Sequence, residues 1–255
     1  HMLRDRKGEV YRFSAGLASV ALFVASIGVA VSGHWMGQVM TEVQPMKMAA
    51  AEALWENEEP AAFSLFAIGD VENGRNRFNI TIPRALSFLA TNSFDAEVQG
   101  INPLQAEFEA RHGPGNYIPP VGTIYWSFRL MIGIGFALMA LGAVGVWLLW
   151  RKRITEVRWF HKAAVWALTL PFLANIFGWT VTEIGRQPWV VYDELLVADG
   201  VSPGVSGGEV LVTLIGFTLL YGVLAVVNVY LLRKYAREGV TDEQTPDDVA
   251  RALAY

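Results

Sequence analysis

The sequence predicts an all-α membrane protein: four transmembrane helices with a long extracytoplasmic loop between the first and the second. Three observations carry the prediction. Of 255 residues, 53% are hydrophobic and only 17% are charged, well short of the quarter expected of a soluble domain. The apolar residues collect in four runs, each long enough for the roughly 20-residue crossing of a bilayer. The basic residues collect in every second connection between those runs.

Residues 1–12 form a basic start carrying Arg4, Arg6, Lys7 and Arg12, and the first span follows at 13–33, uncharged throughout. The second span, 122–150, is interrupted only by Arg129. A short connection, 151–162, holds Arg151, Lys152, Arg153, Arg158 and Lys162. The third span, 163–187, contains Pro171, a kink that a spanning helix tolerates when neighbours satisfy the freed carbonyl. It should stop near Gln187, because the residue before Pro188 disfavours helix. After the loop 188–208, Ser206 and Glu209 stand at capping-box spacing ahead of the fourth span, 209–232. The tail 233–255 opens on Arg233, Lys234 and Arg237, turns acidic, and has room for one short helix after Pro246. The positive-inside rule places both termini and 151–162 in the cytoplasm, and 34–121 and 188–208 outside.

The loop 34–121 carries seven of the eleven prolines, eleven acidic residues and five basic ones. A connection of this length is functional or folds on its own. Pro45–Asn57 reads as a short Ala-rich helix, and PAAFSLFAIGD and NRFNITIP as short strands. RHGPGNYIPP reads as irregular.

Several function classes are excluded. A net charge of −4 offers no basic field for nucleic acid. The absence of cysteine excludes disulfides, thiolate metal sites, iron–sulfur clusters and cysteine nucleophiles. A transporter fits poorly, since no pair of short, Gly/Pro-broken spans repeats between halves. None of the four histidines lies deep in a span, which argues against a bis-histidine haem within the chain.

Ionisable groups near spans mark candidate sites. Trp179, Glu183 and Arg186 fall at i, i+4 and i+7, so one helical face presents a ring, a carboxylate and a guanidinium. The set suits a macrocycle with a metal and an acidic substituent, and equally an interfacial Glu–Arg pair beside a tryptophan belt. Arg129, about a turn inside its span, needs an anion: a propionate, a lipid phosphate or a neighbouring carboxylate. Met131 is a thioether that can ligate haem iron, or simply packing. Lys47 and Glu52 lie roughly 140° apart around a helix. They either bracket a hydroxylated ligand or decorate an exposed charged helix, the simpler account on chemistry alone.

Three blocks taken together resemble subunit I of the cytochrome bd quinol oxidases: QPMKMAAAEALWE over 44–56, FRLM over 128–131, and GW at 178–179 followed by EIGRQPW over 183–189. They occur in the family's order, and the likeness covers all but the acidic tail. The loop is similar to the shorter form of the family's quinol-binding Q-loop. The resemblance implies that Lys47 and Glu52 bind and oxidise quinol, ubiquinol or menaquinol. It implies Met131 as an axial ligand of a low-spin haem b with Arg129 beside it, and Glu183 as the ligand of a high-spin haem b. Trp179 and Arg186 would lie near the high-spin haems, the second being haem d or another haem b. It implies electron transfer to dioxygen, which is reduced to water, in a bacterial or archaeal cytoplasmic membrane.

The family's subunit I has about nine spans, and this chain resembles the last four. The expected partners are therefore the amino-terminal half of subunit I, which supplies the remaining haem ligands, and subunit II, besides membrane lipid. The chain alone is expected not to be a competent oxidase. The alternative is a non-enzymatic four-span protein whose outer loop binds a partner or quinone without haem.

Overall fold

The computed structural model describes residues 9–70 and 73–238. They fall into two compact units, one ending at Gly200 and one beginning at Val201. The expectations for residues 1–8 and for a helix after Pro246 lie outside the described residues.

Four helical segments are long and apolar enough to cross a membrane: Val10–Val43, Val121–Trp150, Arg158–Ile184 and Gly207–Glu238. The chain is a multi-pass membrane protein. In the first three, between 11% and 17% of the most apolar window is buried, as suits helices whose outer faces meet lipid rather than protein.

The first helix, α1 (Glu9–Val43), runs ten residues beyond the expected end at 33. Nothing in GHWMGQVMTEV breaks a helix, and the chain turns only at Gln44, ahead of Pro45. The next long helix, α5 (Val121–Trp150), packs against α1 where side chains are smallest. A Cβ at Gly142 would lie 2.8 Å from the backbone nitrogen of Phe23, and one at Gly145 would lie 2.4 Å from Ser19 Oγ. Close approach of small residues is how helices associate where no hydrophobic force separates protein from solvent.

The third span, expected over 163–187 with a kink at Pro171, is the segment Arg158–Ile184, and the kink divides it into α6 (Arg158–Ala167) and α7 (Leu170–Ile184). Pro171 has no N–H to donate to the preceding turn, so the ladder breaks at Leu168 and Thr169. The helix also stops three residues before Gln187, at Ile184, and the N–H of the capping Gly185 still reaches the Val181 carbonyl at 3.0 Å.

Between α1 and α5 the loop is a folded layer, so the chain is not purely helical. It contains α2 (Pro45–Glu52), the antiparallel hairpin β1 (Phe63–Asp70) with β2 (Arg75–Ile82), α3 (Ala85–Thr91) and α4 (Ile101–His112). The two strands fall where the apolar–polar alternation puts them; α3 and α4 had no comparable signal. A second hairpin, β3 (Trp189–Val191) with β4 (Leu195–Leu196), follows α7. The main core sits in this layer: Met46, Ala49, Ala50 and Ala51 of α2 meet Ile101, Leu104 and Phe108 of α4, Val121, Ile124 and Tyr125 of α5, and Trp189.

In the second unit, α8 (Gly207–Glu238) begins as its spacing predicts. Ser206 Oγ accepts the Glu209 N–H at 3.3 Å, while the Glu209 carboxylate accepts the Ser206 N–H at 2.8 Å.

Candidate functional site

The site is built around α2. Its Ala-rich sequence favours helix and its small side chains allow neighbours to close in. All seven residues from Met46 to Glu52 are buried, Lys47 and Glu52 among them. The account of 45–57 as a solvated charged helix is therefore corrected: the two turns of α2, with Met46 and three alanines, are covered by α4, α5 and Trp189. Both ends are anchored. At the start, Met46 N–H donates to the Tyr192 hydroxyl at 3.2 Å, and burial pushes that hydroxyl up to about 12. At the other end Ala53 takes the left-handed conformation, φ 49°, with Leu54 N–H reaching back to Ala49 O at 2.9 Å. This closure turns the chain directly after Glu52.

Lys47 and Glu52 face different walls, as their angular separation on a helix requires. Glu52 faces α5. Its Oε2 accepts Arg129 Nη2 at 2.5 Å and the Ser64 N–H of β1 at 3.3 Å. The Ser64 hydroxyl lies 3.0 Å from that of Tyr125. Phe63 and Tyr125 present their ring faces to the guanidinium, with centroids at 4.5 and 4.8 Å. Burial pushes the Glu52 carboxyl up to about 7, and the Arg129 charge and hydrogen bond, with the Ser64 N–H, oppose that rise. Among the three partners expected for Arg129, the neighbouring carboxylate is present.

Lys47 faces the end of α7. A Cβ at Gly185 would lie 2.9 Å from Lys47 Cγ, so this glycine is what leaves room for the lysine stem. Burial lowers the Lys47 pKa first and the nearby Arg186 lowers it further, while Glu183 acts in the opposite direction. Glu183 and Arg186 form an ion pair at 2.6 Å, each about a third exposed. Trp179 is 67% exposed on α7 and takes no part in that pair. Met131 lies at the seam between α5 and α7, where a Cβ at Gly178 would come within 3.0 Å of its sulfur.

The structure thus brings together Glu52 with Arg129, Lys47 with the Glu183–Arg186 pair, and Met131 with α7. Tyr125, Ser64 and Gly185 belong to the same surroundings and were not singled out from the sequence. Tyr125 had a signal, standing one turn before Arg129; the Ser64 amide had none.

Among the described residues, Arg129 Nε and Nη1 and Arg186 Nε are buried with no hydrogen-bond partner. A guanidinium with open donors in a dry setting calls for a further anion. The propionates of a haem are such anions, and a thioether is an established ligand of haem iron. The residues present therefore fit haem groups beside α5 and α7: Met131 and Glu183 as candidate ligands, Arg129 and Arg186 as candidate propionate partners.

Residues 1–240 match the family model described as cytochrome bd terminal oxidase subunit I. The chain is 39% identical over 247 residues to the cytochrome bd ubiquinol oxidase subunit 1 of Bacillus subtilis, covering 96% of this chain and 53% of that protein. It is 30% identical over 302 residues to the cytochrome bd-II ubiquinol oxidase subunit 1 of Escherichia coli, covering 96% and 59%. The structure of bd oxidase from Geobacillus thermodenitrificans superposes with a TM-score of 0.72 at 31% identity, over 88% of this chain and 49% of that one. The chain spans about half the length of the relatives it matches.

Proposed function

The chain belongs to the family of cytochrome bd terminal oxidase subunit I, and on that premise we propose that it is the quinol-binding, haem-ligating carboxy-terminal part of a quinol:oxygen oxidoreductase. The observation that carries the reading is the buried Glu52–Arg129 pair, set on a helix of the long loop against the span that bears Met131.

Oxidation of a quinol releases two protons and two electrons. Glu52, with its carboxyl near 7, is poised to accept a hydroxyl proton close to neutral pH, where a general base works best. Arg129 and the Ser64 N–H hold the resulting geometry and keep the ionised form accessible in a site that burial would otherwise make neutral. Lys47, on the other wall, offers N–H donors to the second quinol oxygen. Because the Tyr192 and Ala53 anchors fix both ends of α2, the two groups are presented at a set spacing.

When bound, haem groups would supply the one-electron carrier chemistry that links quinol to dioxygen. Met131 and Arg129 would hold the low-spin haem b. Glu183, with Trp179 and Arg186 beside it, would hold the high-spin haem b, next to a haem d or a second haem b. The alternation of basic connections supports an orientation with the loop outside and both termini in the cytoplasm, in which quinol is oxidised at the outer face. Activity requires the amino-terminal half of subunit I, with subunit II as the further partner; the chain alone is not competent.

The test uses the complete protein in membranes. Reduced-minus-oxidised spectra should show b-type and high-spin haem bands together with quinol-dependent oxygen uptake. Met131→Leu should remove the low-spin band selectively. A complete protein without haem bands would leave a non-enzymatic quinone- or partner-binding protein instead.

A further inference from the structure

The hairpin β1–β2 carries an apolar face that no described residue covers. Phe66 pairs with Ile80 and Ile68 with Phe78 across the ladder, so the four side chains share one face. All four are exposed, from 38% for Phe66 to 51% for Phe78. The face extends onto α5, where Trp126 meets the Phe66 ring edge-on, centroids 5.2 Å apart.

The same strand also reaches the charge pair. Ser64, two residues before Phe66, donates its N–H to Glu52. Side chains two apart on a regular strand point the same way, yet Ser64 is buried and Phe66 exposed. The register shift between them resolves this: a bulge turns Ser64 inward and Phe66 outward. Trp126 in turn abuts Tyr125, centroids 5.4 Å apart, and Tyr125 presents its face to Arg129. A chain of ring contacts, Phe66 to Trp126 to the buried Tyr125, therefore links the exposed hairpin to the wall of the Glu52–Arg129 pair. Trp126 lies five residues into α5, about 7–8 Å below its start, at the depth where tryptophan marks a membrane interface.

We propose that this face, centred on Phe66, Phe78 and Trp126, is the track for the isoprenoid tail of the quinol. It would admit the tail from the bilayer while the head group reaches Glu52. The proposal rests on the quinol reading above and adds the tail subsite and its contribution to substrate choice. A head group bound at a pair with side chains only 2% and 10% exposed leaves its tail to the apolar surface linked to that pair, and the Phe66–Trp126–Tyr125 contacts supply the link. An apolar sheet face suits a long flexible hydrocarbon, which needs buried area and no directional partner.

The experiment compares a long-tailed quinol with a tail-less one, using the intact oxidase. Phe66→Ser and Phe78→Ser should lower the ratio of kcat/KM for the long-tailed over the tail-less quinol about tenfold, through KM. Phe78→Leu, which keeps apolar area, should restore most of it. Equal losses with both quinols, accompanied by loss of haem or a lower Tm, would mean that the rest of the subunit packs on this face, and would overturn the proposal. No change with either quinol would mean that ordinary lipid covers it, and would also overturn it. Failure of the head-group reading looks different: Glu52→Ala would retain oxidation of the tail-less quinol.

Discussion

The carboxylate of Glu52 and the guanidinium of Arg129, 77 positions apart in sequence, meet at 2.5 Å with side chains 2% and 10% exposed. The contact ties the loop helix α2 to the membrane helix α5. A buried pair of this kind adds little over an apolar replacement, but removing one partner strands the other.

Glu52→Ala should therefore destabilise the loop layer by about 3–5 kcal/mol. It should also lower quinol oxidation by about a hundredfold or more, the usual worth of a positioned base. Glu52→Gln keeps the shape and should lose the activity with a smaller drop in Tm. Adding Arg129→Ala to Glu52→Ala should cost less than the sum of the single losses, which thermal unfolding of the double-mutant cycle reads directly. Additive losses would contradict the coupling.

The Glu52 carboxyl has its ordinary value of 4.5 raised to about 7 by burial. The fold thus favours the protonated form. The associated stability is fully present below about pH 4.5 and is lost as pH rises through about 7, in total about 3 kcal/mol. Activity runs the other way, because the base must be ionised: kcat/KM should climb through pH 7 to a plateau. Glu52→Gln should flatten both profiles over this window, and a rising limb that persists in that variant would assign it to another group.

Lys47 is buried, with its pKa lowered by desolvation and by Arg186. Lys47→Met preserves the stem that lies along Gly185 while removing the N–H donors. Its expected effect is a rise of about tenfold in KM for quinol, the worth of one hydrogen bond to a ligand, with kcat changed less. A fall in kcat at constant KM would show that the lysine acts in the chemistry and not in binding.

Gly100 has no room for a side chain. A Cβ there would lie 2.3 Å from the Glu56 carbonyl carbon, at the place where Ile101 N–H and Asn102 N–H donate to Leu54 O and Trp55 O at 2.8 and 2.9 Å. Backbone cannot swing aside as a side-chain tip can. Gly100→Ala should destabilise the loop layer by roughly 1–3 kcal/mol and loosen the end of α2, seen as faster hydrogen exchange over 53–57.

The spans, the strands of the loop and the capping box ahead of α8 were all legible in the sequence, as was the Glu183–Arg186 pair. Each rests on residues within a few positions of one another, where composition, period and cap chemistry act locally. The three blocks of family resemblance were legible for the same reason. The length of α1 and the break before Pro171 were less so, since a helix continues or stops on the balance of neighbouring contacts.

What only the tertiary structure decided is the environment of α2. Its eight residues read as an ordinary charged, Ala-rich helix, and isolated in water they would be too short to hold one. Packing against α4, α5 and Trp189 buries Lys47 and Glu52. That burial brings Arg129 and Ser64 to the carboxylate and sets the lysine over Gly185. Contacts between residues far apart in sequence depend on which surfaces meet, and no local pattern encodes that. Charge on α2 was visible from the start; its removal from water, which gives it chemistry, came with the fold.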